Sequence, residues 1–133
     1  MKPIRQKVLN TSRGDCFAAC LASLLEVEID QVPNIHDIEG DDWFYPLNVW
    51  LRKSHGMVLL MIQADAYASK VWFPDGVPFI ASCDTGLGWN HAVVMAYQGM
   101  QANVLHDPFS GSADSNNIRG GPVFMYFLVK DTV

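Results

Sequence analysis

The sequence predicts an α+β fold in a single domain, with N-terminal helices packed on a C-terminal antiparallel β-sheet. Three observations carry that expectation. The first half holds two stretches with helical patterning, one apolar almost all round and one amphipathic. The second half breaks into short β-rich runs separated by turn signals. The chain has 133 residues, half of them apolar, which is enough for one real core.

Residues 7–10 read as a short extended lead-in, and Thr11-Ser12-Arg13-Gly14 as a polar turn. The first helix runs from Asp15, a fair N-cap, to Glu26, with nothing between 16 and 26 to break it. Its small and apolar residues cover almost the whole circumference, so it is expected to be central and buried. Gln31-Val32-Pro33-Asn34 ends that region, and Asp37 to Asp42 forms an acidic, glycine-containing loop. Asp41 or Asp42 caps a second helix through Ser54, in which Trp43, Leu47, Trp50 and Leu51 recur at spacings of three and four. Pro46 falls near the first turn, where proline is tolerated, and His55-Gly56 is the stop. Met57 to Ile62 reads as a buried strand and Ala64 to Val71 as a short helix. Strands follow at 77–82, 92–97, 104–106 and 123–130, with a turn at Gln98-Gly99 and a Ser/Gly/Asn-rich loop at 110–121.

Charge and composition exclude several classes. A net charge of −5 argues against nucleic acid or an anionic membrane surface as the main partner. No apolar run reaches the roughly 18–20 residues of a membrane-spanning helix. The basic start, Met1 to Lys7, is followed by a polar stretch at 10–15 where a signal peptide needs its apolar core, so a cytoplasmic location is expected. Three cysteines without framework spacing fit free thiols in a reducing compartment.

The chemistry concentrates in three places. Cys16 opens the first helix, and the partial positive charge of a helix N-terminus favours a thiolate. His91 follows the loop Gly86-Leu87-Gly88-Trp89-Asn90 and begins the apolar strand Ala92-Val93-Val94-Met95, where a general base is held rigidly yet reaches solvent. Alternation places Val93 and Met95 on the His91 face. Asp107 comes 16 residues after His91, which suits the same end of an antiparallel hairpin turning at Gly99. Cys20, one turn deeper among Ala and Leu, reads as core, and Cys83 as a packing thiol. His36 and His55 fall at loop or helix-end positions, and His106 faces either side of its strand. A zinc site from Cys16, Cys20 and a histidine lacks the second paired motif that such sites carry. Trp43, Phe44, Trp72 and Phe73 read first as core aromatics, whereas Trp89, beside His91 in a glycine-flanked loop, reads as a substrate contact.

Asn10-x₅-Cys16 within NTSRGDCFAACLASLL, followed by HAVV and LHDPFSG, resembles the papain-like cysteine peptidases, and is closest in pattern to the bacteriocin-processing double-glycine peptidases. That family carries a Gln, five residues, Asp-Cys-Gly-x-Ala-Cys-Leu, a later His-x-Val-Val, and Asp-Pro after the next strand. The matching stretches, 10–25 and 91–111, make up about a quarter of the chain. The resemblance implies a papain-like fold, with Cys16 as nucleophile, His91 as general base and acid, and Asp107 orienting His91. Asn10 takes the place of the oxyanion-hole glutamine and is one methylene shorter. Phe17 replaces the glycine after the nucleophile and is expected to crowd one side of the substrate cleft.

The function expected on this basis is a small intracellular thiol hydrolase acting on a peptide or protein substrate. It would cleave a peptide, isopeptide or amide bond through a thioester, with no metal or organic cofactor. The same triad also suits a glutamine deamidase or transglutaminase. A catalytically inactive papain-like binding module is the non-enzymatic alternative.

Overall fold

The computed structural model describes residues 1–7, 14–38, 42–63, 73–111, 113 and 118–131. Among the described residues, the coarse class expected from the sequence is the one observed: helices packed on a five-stranded antiparallel sheet. In chain order the elements are α1 (Cys16–Leu25), two single 3₁₀ turns at Ile29–Gln31 and Ile35–Asp37, α2 (Phe44–His55), β1 (Met57–Gln63), β2 (Phe79–Asp84), β3 (Asn90–Gln98), β4 (Gln101–His106) and β5 (Pro122–Lys130). The helix expected at 64–71 lies outside the described residues.

The all-round apolar character of α1 is explained by its setting. Residues 17–23 are all buried. The helix ends in a Schellman motif: Glu26 adopts φ 59°, Val27 N–H donates to the Ala22 carbonyl at 3.0 Å, and Glu26 N–H to that of Ser23 at 3.3 Å. The amphipathic α2 buries Leu47 and Leu51, one turn apart on one face. Asp42 caps it as expected, its carboxylate accepting the Tyr45 N–H at 3.3 Å. At the other end Gly56 takes φ 63° and donates to the Arg52 carbonyl.

The strand order is β1-β5-β2-β3-β4, so the last strand enters the sheet between the first and the second. β2 begins at Phe79 rather than at Val77, since Pro78 has no N–H to give the ladder. The alternation of the strands separates two apolar layers. Ile80, Ala92, Val94 and Tyr126 face the helices and join Leu21, Leu47 and Leu51. Phe79, Ala81, Cys83, Val93, Met95 and Met125 form the second layer. It is covered by a stack in which Phe73 lies 4.8 Å from Tyr97 and Phe79 4.9 Å from Phe127, centroid to centroid.

The two sheet edges are treated differently. On β1, the Asn48 side chain accepts the Leu59 N–H at 2.7 Å and donates to the Leu59 carbonyl at 3.5 Å. That amide stands where a neighbouring strand would otherwise be. At the β4 side, the N-terminal segment lies between α1 and the end of the strand. Ile4 N–H donates to Ser23 Oγ (2.9 Å), the Ile4 carbonyl accepts from His106 Nε2 (2.7 Å), and Gln6 N–H donates to the Pro108 carbonyl (3.0 Å).

Candidate active site

Three elements meet at one end of the sheet: the start of α1, the start of β3 and the turn after β4. The hairpin ladder runs from the pair Gln98 and Gln101 to the pair Val94 and His106, with a bulge between Val94 and Met95. Continued one step, that register sets Asp107 beside Val93, so the side chain of His91 reaches it diagonally along one face. The contact is close. His91 Nε2 lies 2.7 Å from Asp107 Oδ1, and the two side chains are 5% and 0% exposed. With Nε2 committed to the carboxylate, Nδ1 is the ring nitrogen left to face Cys16, whose thiol is near enough to influence the imidazole.

Asp107 is held from several sides. Its Oδ1 also accepts the Phe109 N–H at 2.9 Å, and its carbonyl accepts the Gly111 N–H at 2.7 Å. This Asx-type turn begins an Asp-Pro sequence whose proline is also buried. The carboxylate is therefore locked by backbone before it meets the imidazole.

The electrostatics of His91 follow from these contacts. Burial pushes its pKa down, but the hydrogen bond to Asp107, together with the influence of Cys16 and the Asp107 charge, outweighs that and raises it from 6.5 to about 9. His91 is thus an imidazolium at neutral pH. Burial governs the other two thiols. Cys20 is completely buried, and desolvation first, then the neighbouring Cys16, Asp107 and Cys83, hold its pKa well above the ordinary thiol value. Burial and the Asp107 charge push Cys83 up to about 12. Cys16 alone of the three is partly exposed.

Asp15, the N-cap of α1, uses its carbonyl for the Ala19 N–H (2.9 Å) and its carboxylate for the Lys7 N–H (3.1 Å). The chain before Cys16 is pinned by this contact. Trp89, expected as a substrate contact, is half-buried. Its carbonyl closes the Thr85–Trp89 turn by accepting the Thr85 hydroxyl at 2.8 Å. Phe17 departs from expectation: it is 6% exposed, with its ring edge-on to Trp43 at 5.1 Å and to Tyr126 at 5.0 Å. One residue along a helix is a turn of about 100°, which takes the Phe17 ring away from Cys16 and into the core. It lines the core, not a cleft. Asn10 lies outside the described residues.

Two residues near the site were not singled out in the sequence. His106 is 1% exposed and ties β4 to the N-terminal segment through the Ile4 carbonyl. Gln6 is carried beside Asp107-Pro108 by its backbone bond and has its Oε1 buried. Neither has a local signal, since each depends on a contact about a hundred residues away in the chain.

Among the described residues, no group of three or more His, Cys, Asp or Glu side chains is placed to hold a metal ion. No helix among them is long and apolar enough to cross a membrane. The chain matches no protein-family model, no curated protein and no solved structure.

Proposed function

We propose that this chain is a papain-like thiol hydrolase that cleaves a peptide, isopeptide or side-chain amide bond inside the cell. The buried His91–Asp107 pair at 2.7 Å, with the partly exposed Cys16 thiol beside the same imidazole, is the observation that carries the reading. Three unpaired thiols support a reducing compartment.

In this mechanism the Cys16 sulfur attacks the carbonyl carbon and forms a C–S bond as the carbonyl π electrons move to oxygen. The oxyanion is held by the Cys16 N–H, one of the N–H groups that a helix start leaves without an intrahelical partner. A side-chain amide adds a second donor, with Asn10 the candidate from the sequence and Gln6 the candidate from its position beside Asp107-Pro108. Collapse of the tetrahedral adduct breaks the C–N bond, and the His91 proton goes to the leaving amine. Water then attacks the thioester, giving one proton to His91, and collapse of that adduct releases the acid and expels the Cys16 sulfur as thiolate, restoring the starting pair. Asp107 fixes the ring orientation and stabilises the imidazolium throughout.

The test is digestion of three substrate pools: a proteome-derived peptide mixture, ε-lysyl isopeptides and glutamine-containing peptides. We expect one pool to be cleaved or deamidated by the wild type and left intact by Cys16→Ala and by His91→Ala. No turnover of any pool by a folded wild type, or turnover that survives Cys16→Ala, overturns the proposal.

A further inference from the structure

A cavity of about 460 Å³ opens beside the start of α1, between the Lys7 segment and the two 3₁₀ turns. Its floor is apolar, from Ala18, Ile29, Val32 and Ile38. Its rim is acidic. Asp30 and Asp37 are both exposed there, and Asp15, only 6% exposed, closes the end next to Cys16. An aliphatic floor under exposed carboxylates suits a side chain with a long apolar stem and a cationic head.

The chain itself provides an example. Lys7 lies along this cavity with its Nζ 2.8 Å from both Asp30 carboxylate oxygens. The pair is open to solvent, with side chains 60% and 75% exposed, so an incoming cation can take its place. Asp37 pairs with no cation among the described residues. The net charge of −5 adds a general attraction for a basic segment.

Position relates the cavity to the nucleophile. Asp15 is its covalent neighbour, while Ala18 lies two residues on, roughly 200° round the helix from Cys16. A chain crossing the helix start spans a width of roughly 10 Å, or about three extended residues.

We infer that this cavity is a specificity subsite for a lysine or arginine of the polypeptide substrate, about three residues from the bond attacked by Cys16. The inference builds on the hydrolase reading, yet the subsite binds whether or not catalysis follows. The experiment separates the two. The methyl resonances of Ala18, Ile29, Val32 and Ile38 are followed by NMR in the full chain, with titration by N-acetyl-lysine N-methylamide and by its uncharged norleucine counterpart. We expect saturable shifts of these methyls with the lysine probe and affinity at least about tenfold weaker with norleucine. Asp30→Asn/Asp37→Asn should show the same weakening, and Lys7→Ala should bind the lysine probe more tightly. Absence of shifts at these methyls, equal response to both probes, or unchanged affinity in Lys7→Ala overturns the subsite. Sequencing of the peptides cut in the pool digestion gives the second arm. Cleavage without a basic preference overturns the subsite and leaves the hydrolase reading standing. Lysine-probe binding without any cleavage sustains the subsite as a binding site and removes the hydrolase reading.

Discussion

Replacing Asp107 with Asn tests how the site holds its proton. The amide keeps the shape of the carboxylate and an oxygen for the Phe109 N–H, so the turn survives while the charge is lost. In the wild type, His91 is carried from 6.5 to about 9 against the opposing effect of burial. Without the Asp107 charge, burial is opposed only by Cys16, and the His91 pKa should fall to about 6.5 or below. At pH 7.5 the ratio of imidazolium to imidazole then moves from roughly 30:1 to about 1:10. The difference corresponds to roughly 3 kcal/mol of preference for the protonated ring. Its sign fixes the pH window. A pKa raised by folding contributes stability that is fully present below about 6.5 and is lost as the pH rises through about 9.

Two readouts check this. NMR titration of the imidazole carbons should show His91 titrating near 9 in the wild type and at least two pH units lower in Asp107→Asn. Urea unfolding at pH 6 and at pH 9.5 should show the wild type losing up to ~3 kcal/mol across that span, beyond the change in the variant. If His91 still titrates near 9 in a folded Asp107→Asn, the carboxylate is not what holds the proton, and the account of the site is wrong.

Three further outcomes are expected. Iodoacetamide should alkylate Cys16 first by peptide mass mapping, since Cys20 and Cys83 are buried and their pKa values raised. His91→Ala should slow that reaction at neutral pH, and equal labelling of all three thiols would count against the site. Ser23→Ala removes a buried hydroxyl that accepts the Ile4 N–H at 2.9 Å and donates to the Ala19 carbonyl at 2.7 Å. It should cost about 1–2 kcal/mol in urea unfolding and speed amide exchange at Ile4. Asn48→Ala exposes the β1 edge at Leu59, where Leu60, Met61 and Ile62 are already exposed. A stability loss of about 1–2 kcal/mol should be accompanied by concentration-dependent association in light scattering, and a fully monomeric variant would remove the edge-blocking role.

What the sequence made legible was local. The small and apolar run at 16–25 has one stable placement, a buried helix, and the glycine at 56 marks the end of α2 because glycine takes φ 63° without strain. The hairpin around Gly99 was readable from turn chemistry, and with it the meeting of His91 and Asp107. The bulge at Val94/Met95 was not, yet the pair forms because a diagonal reach tolerates a shift in register. The direction of Phe17 has no local signal, because its partners, Trp43 and Tyr126, arrive from the start of α2 and from β5. Nor does any local pattern record that β5 enters the sheet between β1 and β2.

The bond from His106 to the Ile4 carbonyl has a consequence in time. Its two ends lie 102 residues apart in the chain. On a ribosome, Cys16 and α1 emerge long before β3 and the Asp107 turn exist to meet them. Until then the thiol has neither imidazole nor carboxylate beside it, and Ile4 has no His106 to hold it. Closing so long a loop comes late in folding, because its entropy must be met before the contact is gained. The Cys16 thiol is therefore made early and meets its partners last, when the sheet is complete.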